Sequence, residues 1–167
     1  MNVTARTEDS PTYVNRPAPK TDDEIVLAAL QILARRVSTL DLFDSPDAVK
    51  KYLTVRAAAA DASSREVFAV MYLDSQHRLI TIQDEFVGTL SQTSVYPREI
   101  VRAALHHNAA AVVLTHNHPS GNPQPSRADE TLTKTLKSAL ALVDVRVLDH
   151  IITAGGSATS LAEQGLV

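Results

Sequence analysis

Two histidines separated by one residue, His116 and His118, are the feature of this sequence best suited to chemistry. His116 ends a short apolar run, AAAVVLTH, that is typical of a buried strand, and His118 follows it at the start of a loop. Side chains two residues apart on an extended backbone point to the same side, so both imidazoles can approach one metal ion. Asp129 follows a proline-rich loop, in the first turn of a predicted helix. Two nitrogens and one carboxylate would leave a fourth tetrahedral position for water, as in catalytic zinc sites.

Each of these residues also has an ordinary structural interpretation. Ser126 and Asp129 stand at the spacing of a capping box, and an aspartate in a first helical turn is common. An isolated His-x-His pair is likewise more often incidental than metal-binding. The combination of two histidines on one face, a stiff loop, and a serine and an aspartate at fixed offsets favours the metal site. Because the sequence has no cysteine, such a site must use His, Asp or Glu.

The strands that would carry this motif have recognisable patterns. EVFAVMYLD, beginning at Glu66, and RLITIQDEF predict a hairpin joined at DSQH, and GTLSQTSV, from Gly88, predicts a third extended piece. VRVLDHIIT predicts another strand after the motif. Together with the predicted helices, this order indicates an α/β domain in which one mixed β-sheet is packed with helices in layers.

The predicted helices are marked by capping patterns and by apolar residues at helical spacing. One starts at Thr21 with an apolar face of Val26, Leu30, Leu33 and Val37, and a second starts at Ser45, with Pro46 in its first position. The remaining helices are predicted at Pro97, with Ile100, Val101, Ala104 and Leu105 buried; at Ser126; and at Ser160, where Glu163 completes a capping pattern.

The bulk properties set the boundaries and narrow the class of protein. Residues 1–20 are polar with three prolines and predict a disordered tail, 21–44 a helix and linker, and 45–167 the folded domain that carries the motif. The short apolar runs predict no membrane span, and the first residues lack a secretory core, so we expect a cytoplasmic protein. A net charge of −3 with scattered Lys and Arg gives little support for nucleic-acid binding.

The motif His116-x-His118-Pro119, with Ser126 and Asp129, resembles that of JAMM/MPN-type metalloproteases, in which serine and aspartate follow the second histidine at these offsets. Within that superfamily the chain is similar to the RadC group, through EVFAVMYLDSQHRLI, GTLSQTSVYPREIVRAALHHNAAAVVLTHNHPSG and VLDHIIT. The resemblance runs from about Ser45 to the C-terminus. It implies a layered, cytidine-deaminase-like JAMM/MPN domain that holds one zinc ion per chain and cleaves a peptide or isopeptide bond.

The resemblance also implies individual roles. His116, His118 and Asp129 would be the zinc ligands, Ser126 would help hold the oxyanion, and Glu66 would be the general base. Spacing alone does not single out Glu66, whose structural alternative is a solvent-facing residue at a strand end.

The other histidines carry weaker expectations. His150 is either a hydrogen-bonded strand residue or, since the family pattern includes its Asp-His pair, a neighbour of a metal ligand or of substrate. His77, His106 and His107 are interpreted as surface residues.

Two other functions compete with hydrolysis. RadC proteins were named for DNA repair, and longer members carry a glycine-dependent helix-hairpin-helix segment. The first glycine here is Gly88, so we expect that segment to be missing and a nucleic-acid role to be unlikely. A non-catalytic, metal-bound scaffold is the second alternative, although inactive MPN relatives typically lose ligands that this sequence retains. The sequence therefore predicts a peptide or protein substrate, and it does not indicate an oligomeric state.

Overall fold

The computed structural model describes residues 45–59, 65–88 and 94–167, and positions 21, 25, 28, 29 and 32. The backbone at residues 25, 28, 29 and 32 is helical, in agreement with the predicted first helix. The apolar face predicted for that helix, and the predicted tail over residues 1–20, lie outside the described residues. In chain order the elements are α1 (Pro46–Ala59), β1 (Val67–Leu73), β2 (Leu79–Val87), α2 (Pro97–His106), β3 (Ala111–Asn117), α3 (Arg127–Ala141), β4 (Arg146–Ala154) and β5 (Ser157–Ser160).

The strands form one mixed sheet in the order β2-β1-β3-β4-β5. β3 and β4 are parallel, and every other neighbouring pair is antiparallel. A parallel pair needs a crossover, and the segment containing the proline-rich loop and α3 supplies it. The predicted α/β class, with a mixed sheet packed between helices, is therefore confirmed, and β1 and β2 form the predicted hairpin.

Apolar residues cover both faces of the sheet, because successive side chains of a strand point to opposite faces. On one face, Phe68, Val70, Tyr72, Val112 and Leu114 pack against buried residues of α2 and α3 such as Ile100 and Leu136. On the other face, Met71, Val113 and Ile151 pack against Tyr52 and Leu53 of α1. The central strand β3 is buried along its whole length, as its apolar run predicts.

Two local predictions need correction, and a third falls largely outside the described residues. The segment from Ser160 is not a helix: Ser157–Ser160 is strand β5, and turns follow it, although the Ser160 hydroxyl does accept the Glu163 N–H at 3.1 Å. The third extended piece lies largely outside the described residues, and its described ends, Gly88 and residues 94–95, are not in a strand. Leu105 of α2 is 56% exposed rather than buried.

The strand β5 exists because a two-residue turn, Gly155–Gly156, sends the chain back along β4. The φ angles of these glycines are +54° and +82°, values that a type I′ hairpin turn requires and that glycine adopts without strain. Within the described part of the chain, no helix combines the length and the apolar character needed to cross a bilayer.

Candidate metal centre

His116 and His118 lie at the carboxyl end of the central strand, where the loop begins. His116 is the penultimate residue of β3 and is 2% exposed, whereas the His118 side chain is 18% exposed. The His118 N–H donates to the Thr153 carbonyl at 2.8 Å, which extends the pairing of β3 with β4 past the end of the strand. Their Nε2 atoms are 2.9 Å apart, so the predicted approach of two imidazoles to one point is present.

Asp129 joins the two histidines from the first turn of α3. Its Oδ1 atom is 3.3 Å from His116 Nε2, and its Oδ2 atom is 3.7 Å from His118 Nε2. The same carboxylate accepts the Ser126 N–H at 2.7 Å, while the Ser126 hydroxyl accepts the Asp129 N–H at 3.2 Å. The capping box and the convergence on the histidines therefore occur together, and the helix cap orients the carboxylate.

The spacing of these atoms fits a tetrahedral metal ion. Ligand atoms at about 2.0–2.1 Å from zinc are about 3.3–3.4 Å from one another. The two Nε2 atoms are 2.9 Å apart, and the nearest carboxylate oxygen is 3.3 Å from His116 (Oδ1) and 3.7 Å from His118 (Oδ2), which is close to that value. Within the described residues, His116, His118 and Asp129 are the one group of three such side chains whose ligand atoms converge, all within 4.8 Å of one another. The group could therefore hold a metal ion.

Hydrogen bonding prepares His118 to bind a cation. Its Nδ1 atom is 2.8 Å from the Asn122 carbonyl, which can only accept, so Nδ1 carries the proton in the neutral ring. The Nε2 atom then presents its lone pair toward His116 and Asp129. Fixing the tautomer through the outer ring nitrogen is common for metal-binding histidines.

The electrostatics of the site favour an anionic Asp129 carboxylate and a neutral His150 ring. Partial burial raises the pKa of Asp129, but hydrogen bonds with His116 and Ser126 outweigh burial and hold that pKa well below its ordinary range. Burial is the main cause that lowers the pKa of His150 from 6.5 to about 3, and the nearby His116 is the second cause. The His150 ring is therefore neutral at neutral pH. Phe68 packs on both His116 and His150 with ring centroids 6.3 and 5.7 Å away, and it keeps this side of the site apolar.

His150 lies in β4 and is fully buried beside the ligands. Its Nε2 atom is 2.9 Å from His116 Nδ1, and its Nδ1 atom is 2.6 Å from the Thr133 hydroxyl. Both expectations for this residue therefore hold, because it is hydrogen-bonded within the core and it also contacts a candidate ligand. Thr133 has no signal in the sequence; it is found only because α3 packs over β4.

Glu66 immediately precedes β1 and is partly buried. In the antiparallel register of β1 and β3, Phe68 pairs with His116, which is the last pair of the ladder at this end. Glu66 stands two residues before Phe68, and alternation along an extended chain predicts that its side chain points to the face of Phe68 and His116. The Glu66 carbonyl accepts the Gly88 N–H at 2.8 Å.

Asn117, the residue between the two histidines, holds the backbone on both sides of Glu66. Its side-chain oxygen accepts the Val67 N–H at 2.8 Å, and its amide nitrogen donates to the Arg65 carbonyl at 2.8 Å. Sequence reasoning missed this contact. The available signal was its position between the two histidines, because alternation along a strand predicts that Asn117 points to the opposite face of β3.

The remaining histidines lie outside the site. His106 is exposed, as predicted, and His77 occupies the turn between β1 and β2 with its Nε2 atom 3.2 Å from Arg146. His107 is not a simple surface residue, because it is partly buried with its ring 4.9 Å from that of Tyr72.

Comparisons with known proteins agree with this architecture. The sequence profile of the RadC-like JAB domain matches residues 43–166. Similar curated proteins include the UPF0758 protein of Acidovorax sp. (strain JS42), 60% identical over 152 residues that cover 90% of this chain and 63% of the relative. Those of Variovorax paradoxus (strain S110) and Methylibium petroleiphilum (strain ATCC BAA-1232 / LMG 22953 / PM1) are 57% and 55% identical, over 83% and 90% of this chain and 60% and 67% of each relative.

The chain spans about 63% of the length of the first of these relatives. The profile nevertheless covers most of the chain, including every residue of the candidate metal centre. This chain belongs to the RadC-like JAB domain family.

Proposed function

We propose that this chain is a zinc-dependent peptidase that hydrolyses a peptide or isopeptide bond, with one zinc ion held by His116, His118 and Asp129. The observation that carries the proposal is the convergence of two imidazole nitrogens and one carboxylate at separations suited to zinc. Three protein ligands would leave a position for water and substrate, as in catalytic rather than structural zinc sites. When bound, zinc would polarise the scissile carbonyl and make water a better nucleophile near neutral pH.

The residues around the ligands would handle the protons of the reaction. Glu66 would accept a proton from the attacking water as its oxygen bonds to the carbonyl carbon. The same proton would pass to the amine nitrogen as the carbon–nitrogen bond breaks, which leaves a carboxylic acid and a free amine. Support for this role comes from the pairing of Phe68, two residues after Glu66, with His116 and from the Asn117 side chain that fixes the backbone beside Glu66.

Ser126 would stabilise the negative charge on the carbonyl oxygen. In the structure its hydroxyl donates to Asp129 Oδ2 at 2.6 Å, so this donor must turn from the carboxylate to the oxyanion during the reaction. Loss of one oxyanion donor typically lowers the rate by a hundredfold or more, on the order of 10²–10³.

A cavity of about 290 Å³ beside His118 would receive part of the substrate. Its walls are small or uncharged and come from the end of α1, the loop after β3 and the β4–β5 turn; they include Thr54, Ala57, Ala58, Thr153, Gly155 and Gly156. A neutral lining of this kind suits an uncharged peptide segment better than a phosphate backbone. We therefore propose a peptide or protein substrate, and a cytoplasmic setting for the reaction.

The test is peptide hydrolysis by the zinc-loaded native chain and by Glu66→Gln, measured by mass spectrometry on a proteome-derived peptide library and on an isopeptide-linked peptide set. We expect Glu66→Gln to keep the native zinc content and circular dichroism spectrum and to lose hydrolysis. Glu163→Gln is the matched control, because this exposed glutamate forms an ion pair with Lys50 at 2.9 Å and is not part of the candidate metal centre.

The outcomes separate the competing functions. Equal cleavage by Glu66→Gln and the native chain would show that the general base is misassigned. A zinc-loaded native chain that cleaves neither peptide set would instead favour the metal-bound scaffold.

A further inference from the structure

A chain of buried hydrogen bonds runs from the backbone of one candidate ligand to the ring of another. It begins at the Asp129 carbonyl, which is 2.6 Å from the Thr133 hydroxyl. It continues from Thr133 to His150 Nδ1 at 2.6 Å and from His150 Nε2 to His116 Nδ1 at 2.9 Å. Thr133 and His150 are both 0% exposed, so no solvent competes for these bonds.

The Asp129 carbonyl, where the series of hydrogen bonds begins, fixes which atom donates in each of them. A carbonyl can only accept, so the single hydroxyl proton of Thr133 is given to Asp129. The Thr133 oxygen can then only accept a hydrogen bond from His150, so His150 Nδ1 must carry a proton and donate it to this oxygen. A neutral imidazole has one donor and one acceptor nitrogen, so a proton on His150 Nδ1 leaves Nε2 to accept from His116 Nδ1 at 2.9 Å.

The consequence reaches the metal centre. In the neutral form that can bind a metal, a proton on His116 Nδ1 leaves the Nε2 lone pair directed toward His118. The His118 ring does the same, because its own Nδ1 faces the Asn122 carbonyl. Two lone pairs then face each other across 2.9 Å with a carboxylate beside them, an arrangement that repels itself unless a cation lies between.

We propose that Thr133 and His150 are positioning residues, which fix the tautomer and orientation of His116 through one directed hydrogen-bond chain and thereby raise the metal affinity of the site. The proposal rests on the proposed zinc site. In this arrangement the ring nitrogens already present their lone pairs to a cation in the metal-free chain. The hydrogen bonds also connect β3 and α3, the two elements that carry the ligands, through His150 of β4.

The first test compares Thr133→Val with Thr133→Ser. Valine keeps the shape but removes the hydroxyl, and serine keeps the hydroxyl. The Zn²⁺ affinity of each folded variant is measured by competition with a chromophoric chelator at fixed pH. We expect Thr133→Val to bind Zn²⁺ about 10-fold to 100-fold more weakly, as for other partners of metal-binding histidines, and Thr133→Ser to bind like the native chain. Equal affinities for the two variants would overturn the proposal.

The second test needs no substitution and no metal. Nitrogen-15 chemical shifts of the ring nitrogens in the native, metal-free chain should show His150 as the neutral Nδ1–H tautomer. The neutral Nε2–H tautomer would reverse the chain and refute the proposal, whereas a purely structural role would not require either one. A native chain that binds no Zn²⁺ would refute the proposed function, and the His150 tautomer would still decide the direction of the hydrogen bonds.

Discussion

Zinc should stabilise this fold strongly, and His118→Ala should abolish the effect. A ligand that binds only the folded chain at 100 times its dissociation constant adds about 2.7 kcal/mol to the free energy of unfolding. For a domain of about 120 residues, with an unfolding entropy of roughly 2.1 cal/mol/K per residue, this corresponds to a rise in melting temperature of about 10 °C. Calorimetry with a chelator present, and then with excess Zn²⁺, measures the difference directly.

His118 is the suitable ligand to remove because its side chain is partly exposed, whereas His116 is buried against Phe68. Without metal, His118→Ala loses the bond to the Asn122 carbonyl, which costs about 0.5–1.5 kcal/mol. The matched control is His106→Ala, which removes an exposed histidine from α2 and should respond to zinc like the native chain. Elemental analysis should also find near one zinc per native chain. The reasoning fails if zinc leaves the native melting temperature unchanged, or if it raises that of His118→Ala equally.

Three further results are expected. Ser126→Ala removes the hydroxyl that caps α3 through the Asp129 N–H, so chemical unfolding in chelator should show a loss of about 1 kcal/mol that Ser126→Thr does not show; equal values for the alanine variant and the native chain would contradict the cap. Burial, and next the hydrogen bond to Glu85, raises the pKa of Tyr72. The unfolded chain therefore loses this proton near pH 10 while the folded chain keeps it, so the free energy of unfolding should fall as pH rises above about 10, and less steeply in Tyr72→Phe; identical slopes in urea titrations would count against this. Duplex DNA should bind weakly in fluorescence anisotropy, and tight binding with a steep salt dependence would revive the DNA-associated alternative.

Much of the fold can be predicted from the sequence because its strongest signals are local. The apolar run of β3, the alternating pattern of β2 and the proline-rich loop each identify an element without reference to its neighbours. The ligand set is local as well, because the three candidate residues lie within fourteen positions of one another.

The missed features depend on tertiary contacts. β5 consists of small residues, SATS, with little apolar pattern, although the preceding Gly-Gly pair is a recognised hairpin signal. The Ser160 pattern looked like a helix cap, but its hydroxyl donates to the buried Asp149 carboxylate at 2.6 Å and anchors a turn instead. Leu105 follows the helical period of α2 yet is exposed, because the period does not fix how wide the buried face is.

The hydrogen bonds that join Thr133, His150 and His116 cannot be predicted from any local sequence pattern. The two residues are 17 positions apart, and His150 is 34 positions from His116. Their contact requires that β3 and β4 be parallel neighbours with α3 packed over them, and no local pattern specifies that arrangement.

The hydrogen bonds between the Asn117 side chain and the backbone on both sides of Glu66 have a consequence for how the sequence around the site could vary. One strand residue ties the proposed base to the two histidines, so the spacing between them belongs to the sheet and not to the loop over residues 119–125. The backbone position of the proposed base is thereby set separately from the loop that borders the cavity. Substitutions that keep the length of that loop, and with it the Asn122 carbonyl beside His118, should change which substrates are accepted and leave the backbone at Glu66 in place.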